Sequence, residues 1–244
     1  MSDLQAAAVR ITGHGGDEIE AYLARPSADT RRGGVVVIHH MPGYDRATKE
    51  ITRRFAEMGY DAIMPNLYWR EAPGAAPDDA AALARARGGV PDERLVGDVD
   101  GAARYLRGLP TSNGKVGVIG YCSGGRQSVL AACHLDLDAA VDCYGAFVTG
   151  TPPTESGRTN LVEQLPGLRA PLLGLFGADD QYPSPAAVAE LREILAAHGK
   201  SFEEHTYEGA GHAFFAVDRS AYRVAAANDG WGRIAVFYAK HLGA

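Results

Sequence analysis

Hydrophobic positions change along the chain from an alternating pattern to continuous runs. Residues 9–11 and 19–23 alternate apolar and polar side chains, which predicts two half-buried strands in an antiparallel opening. Residues 34–38 form the uninterrupted run Gly-Val-Val-Val-Ile, which is typical of a strand covered on both faces in a parallel sheet. The pattern therefore predicts a sheet that begins with antiparallel strands and continues with parallel ones.

Strands and helices alternate through the rest of the chain. The predicted strands are 61–64, 116–119, 139–144, 171–176 and 202–207, and the predicted helices are 47–58, 92–109, 127–133, 185–198 and 218–242. A Pro-, Gly- and Ala-rich passage at 65–91 and a mixed stretch at 149–167 are predicted as loops. This order predicts an α/β fold with one doubly wound, mostly parallel sheet and helices on both faces. Because no repeat or long linker interrupts it, residues 1–244 are expected to form a single domain.

The composition and charge of the chain argue against several classes of partner and location. The chain has 244 residues, a net charge of −6 and no basic block, which argues against nucleic acid or an anionic membrane surface as a partner. The N-terminal segment has no apolar core of the kind found in secretory signals, so a cytoplasmic location is expected. Cys122, Cys133 and Cys143 do not resemble a disulfide framework, and the last two are expected in the core.

The segment Gly-Tyr-Cys-Ser-Gly-Gly at 120–125 lies between a predicted strand and a predicted helix. Gly120 and Gly124 leave room for a tight turn beneath Cys122. At a helix N-terminus the backbone N–H groups and the macrodipole would favour a Cys122 thiolate, and the amide of Ser123 could face an oxyanion. Taken alone, the segment equally permits Cys122 to be a small buried residue.

Two later strand ends carry an acid and a base. Gly-Ala-Asp-Asp at 177–180 follows one predicted strand, and Gly-Ala-Gly-His at 209–212 follows the last. Ligands of such sheets bind beyond the carboxyl ends of the strands, and the order Cys, Asp, His matches the nucleophile-elbow architecture. We therefore expect His212 to take the proton of Cys122, with Asp180 orienting the imidazole and Asp179 serving as a turn or cap residue.

Four motifs together resemble the dienelactone hydrolase family, and the resemblance covers residues 35–241. They are Gly-Tyr-Cys-Ser-Gly-Gly at 120–125, Asn-Gly-Lys-Val-Gly at 113–117, Arg-Glu-Ala-Pro-Gly at 70–74 and Gly-Ala-Gly-His-Ala-Phe at 209–214. The resemblance implies an α/β-hydrolase fold and a triad of Cys122, Asp180 and His212. The histidines show no recognisable metal-ligand spacing, and neither a metal nor a cofactor is expected.

The resemblance also implies an oxyanion hole, made by the backbone amides at the matching positions Met41 and Ser123. Prototype members carry a glutamate after the first long strand, where it interacts with the resting thiol, and the corresponding position here is His40. Its imidazole could stabilise a thiolate, donate to the oxyanion or cap the strand end. One of His39 and His40 is expected to be structural.

Family members bind a substrate carboxylate with arginines, and the first such position resembles Arg70. It stands beside Tyr68 and Trp69 in an expected pocket-lining loop, although a surface ion pair with Glu71 is an alternative. The second arginine is replaced by Ala216. Three residues could substitute for it: Arg219, Arg223 and Arg126.

The predicted reaction is acyl transfer to water from an activated ester, enol lactone or thioester, as in a carboxymethylenebutenolidase-like enzyme. Tyr144, at the end of a predicted strand, is a further candidate for substrate binding. A carboxylesterase or thioesterase of broader specificity is the first alternative, and a noncatalytic small-molecule binder is the second. The only partner expected is a small-molecule ester or lactone, and the protein is expected to be a monomer or a small homo-oligomer.

Overall fold

The computed structural model describes residues 3–152 and 159–243, and it is built around one eight-stranded sheet. The strand order is β1-β2-β4-β3-β5-β6-β7-β8. The strands are β1 (Leu4–Thr12), β2 (Glu18–Pro26), β3 (Arg32–Ile38), β4 (Asp61–Pro65), β5 (Ser112–Tyr121), β6 (Ala139–Cys143), β7 (Leu172–Gly177) and β8 (Phe202–Tyr207). β2 is antiparallel to β1 and to β4, and every pair from β4 to β8 is parallel. The predicted antiparallel opening and parallel continuation are confirmed.

The helices flank the sheet. They are α1 (Arg46–Glu57), α2 (Pro77–Ala86), α3 (Asp92–Arg107), α4 (Ser123–His134), α5 (Pro185–Ala197) and α6 (Val224–Leu242), with 3-10 turns at His14–Gly16 and Val162–Gly167. Helices α2, α3, α4 and α5 contribute to the core on one face of the sheet, and α1 and α6 to the core on the other. Along β3, Val36 and Ile38 face the first core while Val35 and Val37 face the second. Because both faces are covered, the strand needs an uninterrupted apolar run.

Three helix predictions differ from the structure. α2 lies in the passage predicted as loop, because its buried side chains are the alanines at 80, 81 and 84, which give little hydrophobic contrast. α4 begins at Ser123 rather than at 127, so two glycines of low helix propensity lie in its first turn. α6 begins at Val224 rather than at 218, because residues 216–222 form successive backbone-bonded turns.

The described residues were also searched for membrane spans and metal sites. None of the helices in the described ranges is long and apolar enough to cross a membrane. Within 3–152 and 159–243, no group of three or more His, Cys, Asp or Glu side chains is arranged to hold a metal ion. Cys133 and Cys143 are buried, as predicted.

Candidate active site

Cys122 lies on the sharp turn between β5 and α4. Its φ is 58°, in the left-handed region that side chains disfavour. The backbone is held there by hydrogen bonds from Cys122 N–H to the carbonyl of Cys143 (3.0 Å) and from Gly125 N–H to the carbonyl of Cys122 (2.9 Å). A Cβ built at Gly120 would lie 1.8 Å from the Gly124 oxygen, and one at Gly124 would lie 2.6 Å from the Ile38 oxygen. The predicted close packing of backbone around the turn is therefore present, and it requires both glycines.

The loops after β7 and β8 bring Asp180 and His212 together. His212 Nδ1 lies 2.9 Å from Asp180 Oδ2. Asp180 is buried, and its other oxygen accepts a hydrogen bond of 2.9 Å from Tyr182 N–H. Asp179 is exposed, and its N–H donates to the carbonyl of Ala210 at 2.9 Å, which ties the two loops together. The geometry thus pairs His212 with Asp180 and gives Asp179 a place in the turn.

His212 is hydrogen-bonded to Cys122 as well as to Asp180. Since Asp180 occupies Nδ1, the bond to Cys122 involves the other ring nitrogen, Nε2. Burial would lower the pKa of His212, but the hydrogen bonds to Asp180 and Cys122 and their negative charge outweigh it and raise the pKa to about 10. The raised pKa favours the imidazolium form of His212 at neutral pH.

Met41 and Ser123 line the same cavity, which has a volume of about 670 Å³. Ser123 is the first residue of α4, where a backbone N–H has no acceptor within the helix. Met41 lies in the turn after β3, and its carbonyl accepts a hydrogen bond of 2.8 Å from the Tyr68 hydroxyl. Tyr68 also lines the cavity. Both residues of the predicted oxyanion hole therefore lie on one cavity, and Ser123 directly follows Cys122 in the chain; Cys122 and His212 themselves are not among the residues that line it.

His39 and His40 have different structural partners. His39 is buried, its Nε2 accepts from Leu67 N–H at 3.3 Å, and its Nδ1 lies 2.9 Å from the His40 carbonyl. These partners place the proton on Nδ1, and burial lowers the pKa of His39 to about 4, so the ring is neutral. His40 Nε2 lies 2.6 Å from Asp45, the N-cap residue of α1. This contact ties the segment after β3 to the start of α1, a structural role that differs from the predicted strand-end cap.

Arg70 is bound within the fold. Its Nη1 and Nη2 lie 2.8 and 2.9 Å from the two oxygens of the fully buried Asp98, and its Nε lies 2.7 Å from Asp17. Trp69 stacks against the guanidinium of Arg10 at 4.1 Å. Neither Arg70 nor Trp69 is among the residues that line the cavity. The predicted ion pair is present with different partners, and we assign Arg70 to the fold rather than to substrate.

Of the three arginines considered as substitutes for Ala216, Arg126 is the one that lines the cavity, and Arg85 lines it as well. Arg126 stands three residues after Ser123 on α4, so both face the same side of the helix. Its Nη1 and Nη2 each lie 3.1 Å from an oxygen of Asp92, which also lines the cavity. The spacing from Ser123 is the sequence signal that separates Arg126 from Arg219 and Arg223.

Tyr144 packs against the base. Its backbone is left-handed, with a φ of 46°, and its side chain is buried. Its ring meets the His212 imidazole edge-on, with centroids 5.1 Å apart. This contact fits a role for Tyr144 in orienting His212, and a substrate contact of Tyr144 stays a prediction.

The sequence of this chain is similar to those of known proteins. Residues 19–242 match the profile described as "Dienelactone hydrolase family". A protein of Salmonella typhimurium named "Putative carboxymethylenebutenolidase" is 35% identical over 234 residues, covering 93% of this chain and 85% of its own. A Bradyrhizobium protein named "Probable 2-oxo-3-(5-oxofuran-2-ylidene)propanoate lactonase" is 29% identical, covering 94% and 92%.

Solved structures show the same similarity. The crystal structure titled as a putative dienelactone hydrolase from Klebsiella pneumoniae superposes with a TM-score of 0.87 at 31% identity, covering 98% of this chain and 100% of that one. An acylaminoacyl peptidase of Pyrococcus horikoshii superposes with a TM-score of 0.74 at 17% identity, covering all of this chain and 42% of its own. The second likeness concerns the fold alone.

Proposed function

Because the chain belongs to the dienelactone hydrolase family and is a carboxylic ester hydrolase, we propose that it cleaves activated esters or enol lactones with Cys122 as its nucleophile. Its fold is the α/β-hydrolase fold, as predicted. The observation that carries the proposal is the hydrogen-bonded series from Cys122 through His212 to Asp180, on three loops at the carboxyl ends of parallel strands. A noncatalytic binder would not need this arrangement.

The first half of the reaction forms an acyl-enzyme. The Cys122 thiolate attacks the carbonyl carbon, and the carbonyl oxygen becomes an oxyanion that accepts hydrogen bonds from the amides of Met41 and Ser123. The bond to the leaving oxygen then breaks, and His212 donates its proton to that oxygen. The product is a thioester on Cys122 and an alcohol; from a lactone, the hydroxyl remains on the same molecule.

The second half restores the enzyme. Neutral His212 takes a proton from water as the water oxygen attacks the thioester, and Asp180 stabilises the imidazolium that forms. The carbon–sulfur bond breaks, which releases the acid and returns the thiolate–imidazolium pair. A thiolate is itself a good leaving group, so only substrates with a better one complete acylation. Enol lactones and aryl esters meet this condition, and amides do not.

The cavity supports a substrate that carries a carboxylate. Arg126 lies on its wall with the guanidinium already holding one carboxylate, that of Asp92, through two parallel contacts. The Bradyrhizobium relative is named for a propanoate lactone, a substrate of this kind. We therefore propose that a substrate carboxylate takes the place of Asp92 on Arg126.

An esterase of broader specificity is the second candidate. It is supported by the same ion pair, because an Arg126 guanidinium that keeps Asp92 would not be available to an anionic substrate. A carboxylate-bearing enol lactone and a neutral aryl ester separate the two: a preference for the lactone supports the first candidate, and equal kcat/KM values support the second.

Replacement of the nucleophile tests the proposed chemistry. We expect Cys122→Ala to lower kcat/KM by at least ~10³-fold for both substrates without lowering Tm, because no other thiol is placed to react. Cys133→Ala is the matched control, since burial raises the pKa of Cys133 to about 11 and keeps it a thiol. Wild-type activity in purified Cys122→Ala would contradict the mechanism.

A further inference from the structure

Arg85 is a second arginine on the wall of the cavity, and the reaction described above does not use it. It lies in the last turn of α2, it is exposed, and it lines the cavity together with Arg126 and Asp92. Within the part of the chain that the structure describes, the Arg85 guanidinium has no hydrogen-bond or ion-pair partner. A cation is therefore available in the cavity that already holds the Arg126–Asp92 pair.

A short segment joins Arg85 to Asp92 and forms one wall of the cavity. Gly88 and Gly89 have φ values of 87° and 86°, and they turn the chain at the end of α2. Gly89 N–H donates to the carbonyl of Ala84 at 2.8 Å, so Gly89 lies against the last turn of the helix. Asp92 follows three residues later, at most about 11 Å of extended chain away. Arg85 and Asp92 are thus held near each other on one wall.

The ion pair between Arg126 and Asp92 is suited to a change of partner. Both of its contacts are 3.1 Å long, whereas charge-assisted contacts of this kind are usually about 2.7–2.9 Å. The Arg126 side chain is 11% exposed and that of Asp92 is 45% exposed, so Asp92 is the partner that can turn away. Asp92 is also the first residue of α3, where the helix dipole stabilises its negative charge with either guanidinium.

The charges of the cavity balance with one substrate carboxylate. Its charged lining residues are Arg85, Asp92 and Arg126, and two guanidinium groups with one carboxylate give a net charge of +1. A substrate carboxylate on Arg126 brings the sum to zero and takes the place of Asp92. Two carboxylates at one guanidinium repel each other, so Asp92 is better placed beside Arg85, the other cation of the cavity.

We propose that Arg85 determines the specificity for carboxylate-bearing substrates, because it takes over Asp92 when the substrate carboxylate binds to Arg126. The inference rests on the proposed carboxylate site at Arg126. Arg85 is a positioning residue in this exchange, since it acts through Asp92 and does not touch the substrate. Its loss therefore weakens the binding of anionic substrates only while Asp92 carries a charge.

The test compares 4-nitrophenyl hydrogen glutarate with neutral 4-nitrophenyl pentanoate on wild type, Arg85→Gln, Asp92→Asn and the double variant. The KM for the glutarate divided by the KM for the pentanoate isolates recognition of the carboxylate. We expect Arg85→Gln to raise this ratio about 3-fold in the wild-type background, as for the loss of a partly exposed ion pair. In the Asp92→Asn background, the same substitution should leave the ratio unchanged.

Arg87→Gln is the matched control. It removes the same charge from the exposed C-cap of α2, outside the cavity lining, so its KM ratio should equal that of the wild type. An equal rise from Arg85→Gln with and without the Asp92 charge would overturn the proposal, because Arg85 would then bind the substrate itself. No rise in the wild-type background would overturn it as well.

A second measurement needs no turnover. The Kd of methyl hydrogen glutarate, determined by calorimetry on the same proteins, should follow the pattern expected for the KM ratio. Arg126→Gln separates the two levels of the proposal. If it leaves this Kd unchanged, the proposed carboxylate site fails; if it raises the Kd while Arg85→Gln acts equally in both backgrounds, this inference alone fails.

Discussion

Arg70 and Arg126 carry the same guanidinium group, but their neighbours give them different roles. Arg70 is held by Asp98, which is fully buried, so separating the pair would leave a charge without a partner inside the protein. Arg126 is held by Asp92, whose side chain is 45% exposed and can return to water. A substrate anion can therefore replace the partner of Arg126 at a much lower cost than that of Arg70.

Substitutions on both sides of the Arg126 pair test this assignment. Arg126→Gln should raise KM for a carboxylate-bearing lactone about 10-fold or more, with little effect on a neutral ester, because a charge-assisted contact is lost. Asp92→Asn should lower KM for the same lactone, since a competing carboxylate is removed. Arg70→Gln is the control variant. It should lower Tm and change the KM for the lactone and the KM for the neutral ester by the same factor. Equal changes for both substrates in Arg126→Gln would refute the role.

Sequence reasoning reached the residues that follow strand ends but not their distant partners. The resemblance to the dienelactone hydrolase family favoured Asp180 over Asp179, and the observed bond to His212 agrees with it. The partners of Arg70 lie 28 and 53 residues away, so no local pattern could indicate them.

At the scale of elements, four strand ends build the site. β3 leads to Met41, β5 to Cys122, β7 to Asp180 and β8 to His212. Continuous apolar runs predicted β3, β5 and β7, which are buried, whereas β8 has the sequence Phe-Glu-Glu-His-Thr-Tyr and carries no such run. α2 was not predicted, because its buried face consists of alanines. The segment from its last turn to residue 92 nevertheless forms one wall of the cavity.

Tyr68 connects two of these loops, and its hydroxyl is open to a test. In Tyr68→Phe the Met41 carbonyl loses its 2.8 Å hydrogen bond, so the turn that presents the Met41 amide is less fixed. We expect kcat to fall by about 5- to 10-fold with little change in KM, in line with the loss of one hydrogen bond.

Tyr238→Phe is the matched control, because the Tyr238 hydroxyl donates to the Val118 carbonyl at 2.8 Å, away from the cavity. That variant should lose stability but keep its kcat; an unchanged kcat in Tyr68→Phe would contradict the positioning role.

At the scale of the whole molecule, two packed faces of one sheet hold a strained turn in place. The left-handed backbone at Cys122 persists because α4 packs on β5 and β6, while β3 supplies the Ile38 carbonyl against Gly124. This arrangement was predictable as a strand-to-helix turn from the small residues at 120–125. Sequence alone could not indicate the nearby cavity, which is lined by residues of α2, α3 and α4 and of the four loops after β3, β4, α2 and β6.

The central claim is that the acyl group of the substrate passes through Cys122. The most direct measurement mixes the protein with 4-nitrophenyl acetate, quenches it in acid within the first turnover, and locates added mass by proteolysis and mass spectrometry. We predict one acetyl group per chain on the peptide that contains Cys122, formed before the steady state and absent from Cys122→Ala. Acetylation of a different residue alone, or turnover by Cys122→Ala at the wild-type rate, would contradict the account.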